Sequence, residues 1–254
     1  MTERVYQAGE RLPDCRFVVK TGRPAAGGLL LAGAAWVARA VWEVRLALAG
    51  EPASGPPDQG GGEHRPLNSL ENSYHLVTSI GGGAVVLCAL LYLSWLARVR
   101  DNARALSGEE PKYAGIWLYL GWVVPFVNLW FPRGIVADAF RRTAPGRRLP
   151  VSVDVWWGLW LVGMLSGVGL LYEDSTDEII ARAYTEVWPL LASDAAVVGA
   201  AVAGALAVRT VTAVQTERIR AVQRASTTPA GAPLATWPRA AGRRSGGVPD
   251  GPRD

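Results

Sequence analysis

The sequence predicts an all-α fold: a polytopic transmembrane helical bundle with four spans and one broken, re-entrant or interfacial segment. Three observations carry this. Half of the 254 residues are hydrophobic, and they gather in blocks of about 18 to 24, the length that crosses roughly 30 Å of hydrocarbon at 1.5 Å per residue. A soluble domain of this size would break its apolar residues into shorter runs. The basic residues lie between and beyond the blocks, not along one polar face, so the net charge of +4 reflects positive-inside orientation and not nucleic-acid binding. Finally, one block carries a proline and an asparagine at its centre.

Residues 1–24 form a polar N-terminal segment, expected on the cytoplasmic side. They hold eight charges and no apolar core of a cleavable signal peptide. The first block, 25–42, then acts as an uncleaved signal-anchor. A Gly/Pro-rich stretch ending near Glu71 reads as a flexible outer loop. The second span, 74–97, runs on in helical pattern to Ser107-Gly108. Residues 113–132 are the broken segment. In 134–142, Ile135, Val136, Ala139 and Phe140 share one face of a short basic helix, expected to lie on the membrane surface. The third span is 155–172. An acidic loop precedes the last span, 187–208, whose helix continues through Arg224. The tail, 225–254, is rich in Pro, Gly, Ala and Arg without periodicity, and is expected to be disordered and cytoplasmic.

Charge decides the topology of the broken segment. If it does not cross, twenty-two basic residues fall on the cytoplasmic side, and only Arg65 and Arg182 fall outside (Arg39 and Arg45, in or next to the first span, are not counted). If it crosses, the two sides receive ten and fourteen, against the positive-inside rule. Composition agrees. Pro125 removes a backbone donor and disfavours helix at Val124. Asn128 is polar where a span most needs to be apolar, and Trp117, Trp122 and Trp130 suit headgroup depth. The alternative is a fifth span with a proline kink.

The order of motifs in "WLARVRDNARALSG…YAGIWLYLGWVVPFVNLWFPRGIVADAFRRT…WWGLWLVG" resembles the bacterial, mainly actinobacterial, membrane family catalogued as domain of unknown function 4328. The positions that carry the resemblance are Arg98, Asn102, Gly121, Trp122, Pro125, Phe126, Asn128, Leu129, Pro132, Trp156 and Trp157, within residues 25–224. The chain departs at "DAFRRT", where the family's surface helix usually has a tryptophan. The resemblance implies architecture and location, and no activity.

Few residues are candidates for chemistry. Arg39 lies about 20 Å along the first span and Asp194 about 21 Å from the inner end of the last, at 1.5 Å per residue. The two therefore fall at similar depth, and a buried charge calls for a partner. Either they form a salt bridge that closes the bundle, or Arg39 pairs with Glu43 and both charges snorkel outward. Arg98, Asp101, Asn102 and Arg104 are either an anion or lipid-headgroup site, with Asn102 bonding backbone near Pro125, or a solvated helix end. Asn128 is expected to bond backbone freed by Pro125. Gly81–Gly83, Gly163 and Gly167 would let helices approach closely. His64 and His75, the separated Cys15 and Cys88, and the acidic run Glu173, Asp174, Asp177 and Glu178 give no convincing metal, disulfide or cofactor site. No nucleophile–base pair is present, so a non-enzymatic scaffold or regulatory protein is expected. Its partners would be the bilayer, anionic headgroups and a protein. A small transporter or channel using the Pro125–Asn128 break is the alternative, and a membrane enzyme the second.

Overall fold

The computed structural model describes residues 18–55, 66–124, 126–165 and 176–227. Pro125, His64, Cys15, Gly167, Glu173, Asp174, the outer part of the third predicted span and the tail beyond 227 lie outside the described residues, as do the expectations placed on them. Every element described is helical, with no strand among the described residues.

Helix α1 is Val19–Ala49, six residues longer at its start than the sequence suggests, with Pro24 inside its second turn. There the missing N–H interrupts only one early hydrogen bond. Helix α2 is Ser69–Ser107. Its start is fixed by a capping box: Asn68 accepts from the Glu71 N–H at 2.9 Å, and Glu71 accepts from the Asn68 N–H at 2.8 Å. Its end is Gly108 in the left-handed region, φ 68°, donating to the Arg104 carbonyl.

The next segment never forms a spanning helix. It holds a four-residue helix α3, Trp117–Leu120, and a 3-10 turn, Val127–Leu129. Phe126, at φ 63°, is the only non-glycine with positive φ among the described residues. Helix α4, Phe131–Thr143, then begins with Pro132 in its first turn, where a missing N–H costs nothing. Both ends of the segment meet. The Lys112 N–H donates to Asp138 Oδ2 at 3.1 Å, the Tyr113 ring packs 5.0 Å from Phe131, and a Cβ on Gly134 would collide with the Tyr113 hydroxyl. The chain thus leaves this segment where it entered.

Helix α5, Val151–Leu165, is apolar and 15 residues long within the described range. Helix α6, Thr176–Thr185, occupies what reads in sequence as an acidic loop. Its Ile180, Ala181 and Ala183 are buried, a short apolar face that the run of acids conceals. Helix α7, Val187–Thr227, is the longest, at 41 residues.

The long helices pack in the order α2, α1, α7, α5, each antiparallel to its neighbour. Along the α1–α7 seam, Gly22 meets Thr212 and Gly33 meets Ala201. A Cβ on Gly33 would stand 2.9 Å from Ala201 Cβ, and one on Gly163 in α5 would stand 2.6 Å from Val197 Cγ2. The Gly81–Gly83 triplet does not do this work. Gly82 and Gly83 have no atom within 4 Å of an added Cβ, because that stretch of α2 faces outward with Ile80, Val85, Val86 and Leu90. Helix α4 also differs from expectation. Ile135, Val136, Ala139 and Phe140 face into the protein core, 0–3% exposed. Protein, not lipid, takes up the apolar face.

Candidate functional site

The deepest polar group of the bundle lies between α1, α2 and α7, away from the broken segment. Arg39 Nε donates to Glu43 Oε1 at 2.8 Å, one helical turn on. The Tyr74 hydroxyl, from α2, donates to the same oxygen at 2.9 Å. Asp194, from α7, places Oδ1 3.8 Å from Arg39 Nε. All are buried: Glu43 and Tyr74 at 0% exposure, Asp194 at 1% and Arg39 at 7%. The Arg39 guanidinium also lies 4.5 Å from the Trp36 ring centroid, a cation–π contact. The two pairings posed by the sequence are therefore not alternatives in the geometry. Arg39 bonds Glu43 directly and faces Asp194 at longer range. Glu43 Oε2 and both Asp194 oxygens have no hydrogen-bond partner.

Outward of this cluster, α6 covers the end of the bundle. Tyr184 donates to Glu71 Oε1 at 2.8 Å, and His75 Nε2 meets Asp177 Oδ1 at 2.9 Å. His75 is thus engaged by the acidic helix.

A second polar network ties α2, α4 and α7 near the opposite end. Gln215 is fully buried. Its Nε2 donates to the Val99 carbonyl at 3.0 Å and to Thr143 Oγ1 at 3.2 Å, and its Oε1 accepts from Asn102 Nδ2 at 3.3 Å. Trp95 Nε1 donates to Thr212 Oγ1 at 3.0 Å nearby. Asn102 is 2% exposed, so a solvated helix end does not describe it, and Pro125, near which the sequence suggests a backbone bond, lies outside the described residues. The four residues suggested as an anion site do not converge. Asn102 turns to α7, Arg104 pairs with Glu110, Asp101 is exposed and Arg98 is half-buried. We expect Gln215→Leu to cost about 1–3 kcal/mol, the penalty for stranding buried polar groups. Denaturant unfolding of the detergent-solubilised protein measures it, and a change below experimental scatter would refute the network's role.

The broken segment is held by aromatic rings. Trp122 packs edge-on to Tyr92 of α2 at 5.6 Å and lies 6.3 Å from Trp156 and 6.5 Å from Trp157 of α5. Trp157 Nε1 donates to the Leu129 carbonyl at 3.3 Å. Trp122 is therefore a packing residue, while Trp130 stays exposed. Asn128 does not bond freed backbone. Its Nδ2 meets Met164 Sδ at 3.5 Å, and its Oδ1 is buried without a partner. Arg133, beside Pro132, pairs with Asp154 of α5 at 2.8 Å.

A groove of about 480 Å³ opens between the start of α1 and the C-terminal half of α7. Gly22, Ala26, Gly27 and Leu30 floor it, and Arg23, Arg209, Arg220 and Arg224 border it.

Sequence reasoning missed Tyr74, Gln215 and Thr212, and gave Glu43 only a secondary part. Gln215 left a readable signal, a lone amide on the stripe Val208, Val211, Ile219 and Val222. Tyr74 left none, because a tyrosine at a block's edge looks interfacial.

Fold and polar seams together define an all-helical bundle with three helices, α1, α2 and α7, long and apolar enough to cross a membrane. Residues 68–213 match the model of the family described as a domain of unknown function, DUF4328, and the chain belongs to that family. The match runs from the cap of α2 into α7 and leaves out α1, with Arg39 and Glu43; it is shorter than the 25–224 that the motifs suggest. No curated protein and no solved structure matches the chain.

Proposed function

We propose that the chain is a non-enzymatic, multi-pass protein of the cell membrane that works as a scaffold or regulatory partner through its basic end. In this reading α1, α2, α5 and α7 are four spans and both termini are cytoplasmic. The broken segment and α4 sit on the cytoplasmic side, where anionic lipid headgroups and a protein partner bind. The observation that carries it is the groove lined by Arg23, Arg209, Arg220 and Arg224 against one acid, Glu217, beside the apolar Ala26 and Leu30. Basic pockets between helices on that side suit phospholipid phosphates.

Native mass spectrometry of the full-length protein tests the reading. Phosphatidylglycerol should remain bound where phosphatidylcholine does not, and Arg23→Gln with Arg220→Gln should lower retention about tenfold, as expected for the loss of two headgroup contacts at about 1 kcal/mol or less each. Equal retention of the two lipids would remove the basic groove from the account. A second reading, a small transporter or channel at the break, rests on the buried, unpartnered Asn128 Oδ1. Proteoliposomes that leak ions only when the protein is present would favour it.

A further inference from the structure

The α1–α7 cluster contains one cation and two acids, and this count drives the inference. Among the described residues, the charged and titratable groups that face one another there are Arg39 and Glu43 from α1, Tyr74 from α2 and Asp194 from α7. The neighbouring α6 contributes Ile180 and Ala183, and α1 and α7 add Leu46 and Leu190, which are apolar. With both carboxyls ionised, the group carries one uncompensated negative charge in a site from which water is excluded. Such a charge stays costly even after the surroundings relax.

Hydrogen-bonding capacity makes the same point independently. Ionised carboxylates only accept. The donors bonded within the cluster, Arg39 Nε and the Tyr74 hydroxyl, both converge on Glu43 Oε1. That leaves Glu43 Oε2, Asp194 Oδ1 and Asp194 Oδ2 without a donor. Asp194 Oδ1 lies 3.8 Å from the same Arg39 nitrogen that donates to Glu43, so the two carboxyl groups meet around one guanidinium, and two acceptors bond each other only if one carries a proton. A single proton therefore repairs both deficits. It cancels the surplus charge and supplies the missing donor.

We propose that Glu43 and Asp194 form a binding site for one exchangeable proton, shared between their carboxyl groups and flanked by Arg39. The proton arrives from hydronium and leaves a water molecule behind. One carboxylate becomes a carboxylic acid whose O–H donates to the other, and no electron is transferred. The bound proton joins α1 to α7 by a hydrogen bond across the seam. Its departure to water returns two like charges to that seam and loosens it. The inference stands apart from the lipid groove, which lies at the other end of the same two helices.

Infrared spectroscopy of the full-length protein in phosphatidylcholine nanodiscs tests this. At pH about 7, exposed carboxyl groups, with values near 4, are ionised. The wild type should still show the carbonyl stretch of a protonated carboxylic acid, shifted in D2O, with the intensity of one group per chain. Glu43→Gln and Asp194→Asn keep the shape while supplying an amide donor. Each should alter the band, and the double variant should abolish it. Replacing choline chloride with sodium chloride should leave it unchanged. Absence of the band from the wild type would overturn the proposal without reference to any variant. So would a band that survives the double variant, or one that sodium removes, which would mark a metal-cation site instead.

Discussion

Arg39→Met should destabilise the bundle by about 3–5 kcal/mol, the usual consequence of removing one partner from a buried ion cluster. The reason lies in what stays behind. Arg39 Nε is the charged donor to Glu43 at 2.8 Å and the only cation within 4 Å of Asp194 among the described residues. Methionine fills much the same space and keeps contact with the Trp36 face, so packing loss is small. The charge loss is not small, because Glu43 and Asp194 cannot turn to water from 0% and 1% exposure. The triple variant Arg39→Met, Glu43→Gln, Asp194→Asn should recover most of the loss, since replacing a whole buried charge cluster by neutral groups is often near neutral. Unfolding of the purified protein in mixed detergent, read by tryptophan fluorescence, distinguishes the outcomes. If the triple variant is no more stable than Arg39→Met, buried charge is not what the arginine compensates.

Sequence periodicity made the long helices readable because their cause is local. A block of about twenty apolar residues has few alternatives to a helix. The same logic found the broken segment, since a proline acts on its own backbone neighbours. It failed where the partner is distant in sequence. The apolar face of 134–142 was legible, yet whether it meets lipid or protein depends on α2 and α7, which supply Val99 and Val211 to the same core. Likewise the Gly81–Gly83 triplet looked like a contact surface, but α2 turns that face outward while Gly28 and Gly33 of α1 make the close approaches. Helix α6 was hidden because its short apolar face, Ile180, Ala181 and Ala183, is defined only by the partners it meets, Leu46 of α1 and Tyr74 of α2 among them.

The site shows the same division. Equal depth was enough to suggest Arg39 and Asp194 as neighbours, because rise per residue is a fixed length. Rotation about each helix axis is not fixed by depth. For that reason Tyr74 and the sharing of Glu43 could not be read beforehand. Asn102 illustrates the opposite error. Surrounded by arginines in sequence, it looks solvated, but Arg100 turns to the Tyr113 carbonyl and Arg104 to Glu110, and the amide is left on the α7 side.

Cysteines introduced at Glu110 and Pro145 should both react with a membrane-impermeant maleimide from one side, and a cysteine at Leu48 only from the other. The background is Cys15→Ser with Cys88→Ala, and all three positions are exposed. Three contacts close the segment between the first two positions into a loop. They are the Arg142–Glu109 ion pair at 3.3 Å, the Lys112 N–H to Asp138 at 3.1 Å, and the packing of Tyr113 on Phe131. A fifth crossing would have to separate all of them by the thickness of a bilayer. It would also break the bond from Asn102 Nδ2 to Gln215 Oε1 at 3.3 Å, which ties the end of α2 to the C-terminal half of α7. Charge bias and contact geometry are independent arguments here, one acting during insertion and the other in the folded state. Labelling of positions 110 and 145 from opposite faces would defeat both at once, and would mean that α4 and the end of α2 meet only in a fold the membrane does not contain.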